Sequence, residues 1–274
     1  MDVRKKQDVK VSIIMGIYNP IHEDWLRDSI QSMIDQTFTD WEMILYNDGS
    51  DAVYEKRIEK AARMDERIRL VCGDANRGLA YALNQCLRYA EGKYAARMDD
   101  DDISKPERLK IQYEWLEGHP EYAWTGSLSE LFDNEGVWGI RYVPETPAAR
   151  DYLFRSPYIH PSVMFRREVL MRAGGYLVSS RTRRCEDYEL FMRLQAEGKR
   201  GYNVQRPLLA YREDADSYKK RLFRYRMDEM VIRFRGFRKM GVFSAAALPY
   251  VVKPILAGAI PGNLHRAIKK RIKR

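Results

Sequence analysis

Tyr94-Ala95-Ala96-Arg97-Met98-Asp99-Asp100-Asp101-Asp102 is the stretch that decides the fold. A short apolar run ends abruptly in four carboxylates, the pattern of a buried strand whose end opens on a polar site. Upstream the same rhythm repeats. Residues 11–15, 41–46 and 68–71 read as strands, and residues 25–35, 53–64 and 78–90 as helices between them. Turns at Tyr18-Asn19-Pro20 and Asn47-Asp48-Gly49-Ser50, and Gly92 after the third helix, punctuate the pattern. The order β-α-β-α-β-α-β predicts an α/β fold: a Rossmann-like, mostly parallel sheet flanked by helices. Ligands in such sheets sit beyond the carboxyl ends of the strands, where the turns after Met15, Tyr46 and Met98 fall. Neither G-x-G-x-x-G nor G-x-x-x-x-G-K-[ST] occurs, so dinucleotide and P-loop sites have no support.

Four adjacent ionised carboxylates repel one another unless a cation or a raised pKa relieves them. In extended backbone Asp99 and Asp101 point the same way. Their hard oxygens suit Mg²⁺ or Mn²⁺, above all when substrate phosphates complete the shell. A solvated acidic turn capping a helix at Ser104-Lys105-Pro106-Glu107 is the plainer reading. The position at a buried strand's carboxyl end favours the metal.

Further along, residues 106–117 and 186–197 read as helices. Strands are expected near 122–128, 138–143, 158–166 and 205–212. The 274 residues, 45% hydrophobic and 32% charged, suffice for one substantial core. Three scattered cysteines form no C-x-x-C pair and fit a reducing cytosol. The polar N-terminus lacks a signal peptide's apolar run, so a cytoplasmic protein is expected.

The net charge of +9 is uneven: residues 217–274 carry +14 and residues 1–216 carry −5. The chain therefore divides into a mildly acidic body, 1–216, and a basic, partly apolar helical tail, 217–274. Within that tail, Pro249, Lys253 and Pro254 interrupt the apolar stretch 242–260, which is marginal for a membrane span. Flanking basic clusters suggest a segment lying on an anionic membrane, which would make the protein peripheral at the inner face of the cell membrane. The other reading is a helical pair that packs on the body or mediates a homodimer.

The runs VSIIMGIYNP, SIQSMIDQTFTDWEMILYNDGS and NRGLAYALNQCLRYAEGKYAARMDDDDISKPERL resemble family 2 glycosyltransferases of the GT-A fold. The runs HPSVMFRREVLMRAGGY, CEDYELFMRL and PLLAYREDADSYKKR continue the match, which spans roughly residues 9–220. Within that family the chain resembles bacterial exopolysaccharide and capsule biosynthesis enzymes of the EpsE kind. The resemblance implies a nucleotide-sugar donor, a UDP-sugar by preference, and a saccharide or lipid-linked saccharide acceptor. It implies that Gly16 and Tyr18 border the nucleobase, that Asp48 hydrogen-bonds it, and that Asp99 contacts the ribose or metal. It further implies that Asp101 ligates the metal and that Asp187 is the general base. Departures are Gly16 where Pro or Thr is common, Asn47 for an acid, and Tyr211-Arg212-Glu213-Asp214 where a His often follows.

A departing nucleoside diphosphate gathers charge that a divalent cation neutralises, and an acceptor hydroxyl needs a carboxylate within reach. Asp187, with Glu186 beside it, supplies that carboxylate, and a base opposite the leaving group implies inversion. Asp187 also suits the cap of the helix that follows. Arg181, Arg183 and Arg184 would close over the donor diphosphate or read a phosphate on a lipid-linked acceptor; a solvated loop is the alternative. His160, beside a proline, faces the acceptor cavity or serves structure. Most of the five tryptophans read as core, with Trp124 or Trp138 able to stack on a sugar. Two rival classes remain. A nucleic-acid binder is disfavoured because the net positive charge is confined to the tail and the acidic strand end would repel phosphate without metal. A degenerate transferase acting as a regulatory or interaction module is disfavoured by intact Asp48, Asp99, Asp101 and Asp187.

Overall fold

The computed structural model describes residues 9–213 and 223–258. Asp214, residues 217–222 and residues 259–274 of the basic segment lie outside them. Nine strands form one sheet. In the first half, β1 (Val11–Ile17), α1 (Glu23–Ile34), β2 (Trp41–Asn47), α2 (Ala52–Ala62), β3 (Ile68–Cys72), α3 (Leu79–Tyr89) and β4 (Tyr94–Arg97) follow one another. Their strands are parallel, in spatial order β3-β2-β1-β4. The chain thus reverses its direction of travel across the sheet between β1 and β4, and that switch point opens a crevice at their carboxyl ends.

The strands of this half are apolar on both faces because helices cover both. Ile14, Ile44 and Ala95 pack with Leu83, Cys86 and Leu87 of α3. Their neighbours Ile13, Met15, Met43, Leu45 and Ala96 pack on the other side with Leu26, Ile30 and Met33 of α1. Alternation along each strand thus feeds two separate cores. At Gly16 an added Cβ would meet the Ala82 Cβ at 2.7 Å. Glycine here lets α3 cross β1 closely, which gives the departure from Pro or Thr a packing reason.

The second half is mixed. It contains β5 (Ile103–Ser104), α4 (Arg108–Gly118), β6 (Trp124–Asp133), β7 (Gly136–Arg141), β8 (Met164–Arg166), α5 (Arg167–Arg172), α6 (Glu186–Ala196) and β9 (Gly201–Arg212). β8 runs antiparallel to β4 and β6, whereas β9 runs parallel to β6. The strand expected over 158–166 forms only from Met164. His160-Pro161-Ser162 makes a 3₁₀ turn instead, with Pro161 at its start. Trp124 is fully buried in the core, so it is not available to a sugar ring; Trp138 is half-buried on β7.

The described part of the tail packs on this body. α7 (Phe223–Lys239) buries Ile232 and Phe237 in the core shared with α6, and Gly236 abuts Met192. Arg233 donates to the backbone carbonyls of Leu153 at 3.0 Å and Tyr250 at 3.3 Å, and pairs with Glu229 at 2.9 Å. The apolar stretch becomes a short turn and α8 (Leu248–Gly258), which contains Pro254. Among the described residues no helix is long and apolar enough to cross a membrane.

Candidate active site

The acidic run does not extend β4. The strand ends at Arg97, and residues 100–101 turn the chain into β5, which pairs with the end of β9. Alternation along an extended strand therefore does not place these carboxylates. The turn brings Asp99, Asp101 and also Asp102 together, with one oxygen of each within 4.8 Å of the others. Three contacts hold it. Ser29 donates to the Asp99 carbonyl at 2.6 Å, Arg212 Nε donates to the Asp101 carbonyl at 3.0 Å, and the Arg212 N–H donates to Asp102 Oδ1 at 2.8 Å.

Asp102 is fully buried, and its Oδ2 finds no hydrogen-bond donor among the described residues. Burial pushes its carboxyl well above the usual range, and the Asp101 and Asp99 charges push further. A buried, under-satisfied carboxylate oxygen beside two more carboxylates fits a hard divalent cation, which would relieve all three.

Beneath this turn lies Arg97, 1% exposed. Nη1 forms an ion pair with Asp99 without hydrogen-bond alignment, and Nε has no acceptor among the described residues. Burial opposes its charge, but Asp99 overcomes that and holds the guanidinium ionised. The same charge favours the ionised forms of Glu186 and Asp187, so Arg97 joins the acidic turn electrostatically to the first turn of α6.

On α6, Cys185 occupies the cap position and Asp187 lies inside the first turn, so Asp187 does not cap the helix. Three acids, Glu186, Asp187 and Glu189, crowd that turn, where the helix dipole favours negative charge. Desolvation raises the Asp187 carboxyl, while the Tyr188 N–H, Arg141 and Arg97 oppose the rise. Burial and then the Asp187 charge push Glu186 up to about 7. His160 is buried, with Nε2 at 2.8 Å from the Tyr176 hydroxyl, and burial drives it well below its ordinary pKa. It is a neutral ring under the site rather than a solvent-facing one.

Asp48 closes the other side of the crevice. It is 2% exposed, and its Oδ2 accepts the N–H groups of Gly78 at 2.7 Å and Arg77 at 3.0 Å. Among the described residues Oδ1 has only the longer arm of the Arg77 bond, 3.2 Å. A carboxylate offers about four lone-pair sites, so Oδ1 retains room for a ligand's N–H. Asn47, which stands for an acid in the family pattern, accepts the Ser50 N–H at 2.9 Å and so builds the turn. Gly16 and Tyr18 lie at the end of β1, with Tyr18 exposed. The arginine loop is organised from within. Thr182 is buried and donates to the Leu177 carbonyl at 2.7 Å, leaving Arg181, Arg183 and Arg184 outside. Arg184 adopts φ 69°, and the charge of Arg183 reaches Asp48.

The profile of glycosyl transferase family 2 matches residues 12–176. The chain belongs to that family. It is 38% identical to EpsE of Bacillus subtilis (strain 168), a glycosyltransferase by name, over 96% of this chain and 94% of that protein. The amylovoran biosynthesis glycosyltransferase AmsE of Erwinia amylovora is 30% identical over 77% of this chain and 79% of its own. Among solved structures, residues 1–349 of S. aureus TarS in complex with UDP-GlcNAc superpose with a TM-score of 0.67 and 17% identity, covering 90% of this chain and 71% of that one. The mannosyltransferase PcManGT of Pyrobaculum calidifontis, in complex with GDP-Man and Mn²⁺, gives 0.63 and 17%, covering 96% and 80%. The fold of this glycosyltransferase is therefore GT-A.

Sequence reasoning passed over four residues that the site uses. Arg97 announced itself as a lone charge in a strand buried on both faces. Asp102 was hidden by the alternation argument. Arg141 and Arg212 gave no local signal, because their importance comes from β7 and β9 arriving beside residues more than forty positions away.

Proposed function

We propose that this enzyme is an inverting hexosyltransferase. It moves a sugar from a nucleoside-diphosphate sugar, a UDP-sugar by preference, onto a hydroxyl of a saccharide or lipid-linked saccharide in bacterial surface-polysaccharide synthesis. Asp48 Oδ1 accepts the imide N–H of the base, with Gly16 and Tyr18 alongside. Asp99, Asp101 and Asp102 would hold Mn²⁺ or Mg²⁺. When bound, that ion neutralises charge on the departing diphosphate. Arg183, with Arg181 and Arg184, adds guanidinium contacts to phosphate oxygens. Asp187 takes the proton from the acceptor hydroxyl as its oxygen bonds to the anomeric carbon and the bond to the diphosphate breaks. Attack from the side opposite the leaving group inverts that carbon.

The observation that supports this reading is the single electrostatic unit of two acid sets around Arg97: one for an ion, one raised toward neutrality for a proton. On this reading the enzyme works at the inner face of the cell membrane, as a peripheral protein. Its test is Asp187→Asn. Donor binding should persist while transfer drops about 10²–10⁴-fold, the scale of general-base catalysis. Retained turnover would remove Asp187 as the base.

A further inference from the structure

The basic tail resolves into two faces. On α7 the side toward the body carries Ile232, Arg233, Gly236 and Phe237. At about 100° per residue, the opposite arc carries Phe223, Met227 and Phe234, together with Arg224, Arg235 and Arg238, and all six are exposed. The two carboxylates of α7 are not on display: Asp228 and Glu229 are half-buried, and Glu229 is tied to Arg233. α8 repeats the arrangement. Leu248, Val252 and Leu256, spaced four apart, are exposed with Lys253. Between the helices Phe243 meets Phe234 edge-on at 5.1 Å, and Arg238 lies 5.6 Å over the Phe234 ring.

A merely solvated helix face would interleave acids with its bases and keep large apolar groups inward. This face does neither. Seven large apolar side chains stand in water beside four cations, with no exposed carboxylate among the described residues of either helix. The cations select an anionic partner. The phenylalanine and leucine stripes select one with hydrocarbon beneath its charge, which a nucleic acid lacks.

We propose that the outward faces of α7 and α8 form a docking surface for an anionic lipid bilayer, lying in the interface rather than crossing it. This names the surface that carries the membrane placement of the proposed function, and rests on that reading only for its purpose. Because Gly236 packs on Met192, five residues beyond Asp187 on α6, α7 crosses α6 about 8 Å along that helix from the proposed base. Arg235 and Arg238 of this face also line the cleft between α6 and α7, together with Leu177, Glu189, Met192 and Ile232. From Leu177 the chain runs directly into the arginine loop. Docking through a packed pair, rather than a loose tail, fixes which end of the site meets the lipid.

The test is co-sedimentation of the full chain with vesicles of phosphatidylglycerol and phosphatidylcholine, against phosphatidylcholine alone. The wild type should partition onto the anionic vesicles and not the neutral ones. Met227→Glu with Phe234→Glu, and separately Arg235→Glu with Arg238→Glu, should each lower that partition at least about tenfold. Both variants should keep the melting-point rise given by UDP with Mn²⁺, which shows they are folded. Undiminished binding by either variant would place attachment elsewhere in the chain and overturn the proposal. So would absent binding by the wild type, or a wild-type dimer that the Phe234 variant splits without any lipid effect. Asp187→Asn should still sediment with the vesicles. Normal transfer by that variant would sink the catalytic reading while leaving the docking surface standing.

Discussion

Two buried arginines, Arg97 under the acidic turn and Arg233 at the junction of α7 and α8, show how this molecule separates chemistry from scaffolding. Each is almost fully enclosed and each faces a carboxylate. Arg233 is satisfied: Nε donates to Glu229 at 3.0 Å, and Nη1 reaches two backbone carbonyls. Arg97 is not: its Nε lacks an acceptor among the described residues, and its one ion pair is poorly aligned. A buried charge left partly unpaired costs free energy that packing elsewhere must offset. Such a cost persists where a ligand completes the set, and Arg97 stands where the proposed ion, diphosphate and base converge.

The comparison can be broken at either arginine. Arg97→Met should lower transfer about 10²-fold, the size of losing one preorganised electrostatic contact, and should weaken UDP binding in Mn²⁺. An Arg97→Met enzyme with unchanged kinetics would make it as structural as Arg233. Arg233→Met should cost about 2–3 kcal/mol in denaturant unfolding, less than a fully enclosed pair because Glu229 is a quarter exposed. Transfer per folded molecule should not change; a catalytic defect there would erase the distinction.

A smaller effect sharpens the link between Arg97 and α6. Transfer needs ionised carboxylates, so it should fall as pH drops through about 7, where Glu186 takes up a proton. Stability runs the other way. The folded state holds that proton more tightly than the unfolded chain, so this group makes stability decline as pH rises from about 4.5 to about 7. Glu186→Gln, fixed in the neutral form of the protonated acid, should hold transfer near its low-pH level and remove the limb near 7. A limb that stays in place would assign it to another group.

The parallel half was legible because each of its strands is a local apolar run bounded by local turns, and burial on both faces needs no knowledge of partners. Asp48 and Asp187 are singled out in the sequence for a different reason, as members of a family pattern. The acidic run was read correctly as a cluster but with the wrong geometry. Alternation assumes continued strand, and the chain instead turns at Asp100 because β5 must pair with β9. Arg212 and Arg141 leave no periodic trace of their partners, because Arg212 meets Asp102 and the charge of Arg141 reaches Asp187 only through the tertiary fold. The tail posed two alternatives, packing or lipid contact. Helical spacing allows both at once, with Ile232 and Phe237 inward and Phe234 outward on one helix.

The central claim is that Asp99, Asp101 and Asp102 gather a divalent ion that the donor's diphosphate shares. Calorimetric titration of UDP with Mn²⁺, then with chelator, tests it directly, with Asp101→Ala in parallel. The account predicts binding to the wild type that disappears with chelator, and binding to the variant that is weak in both. Equal affinity with and without the metal would contradict it.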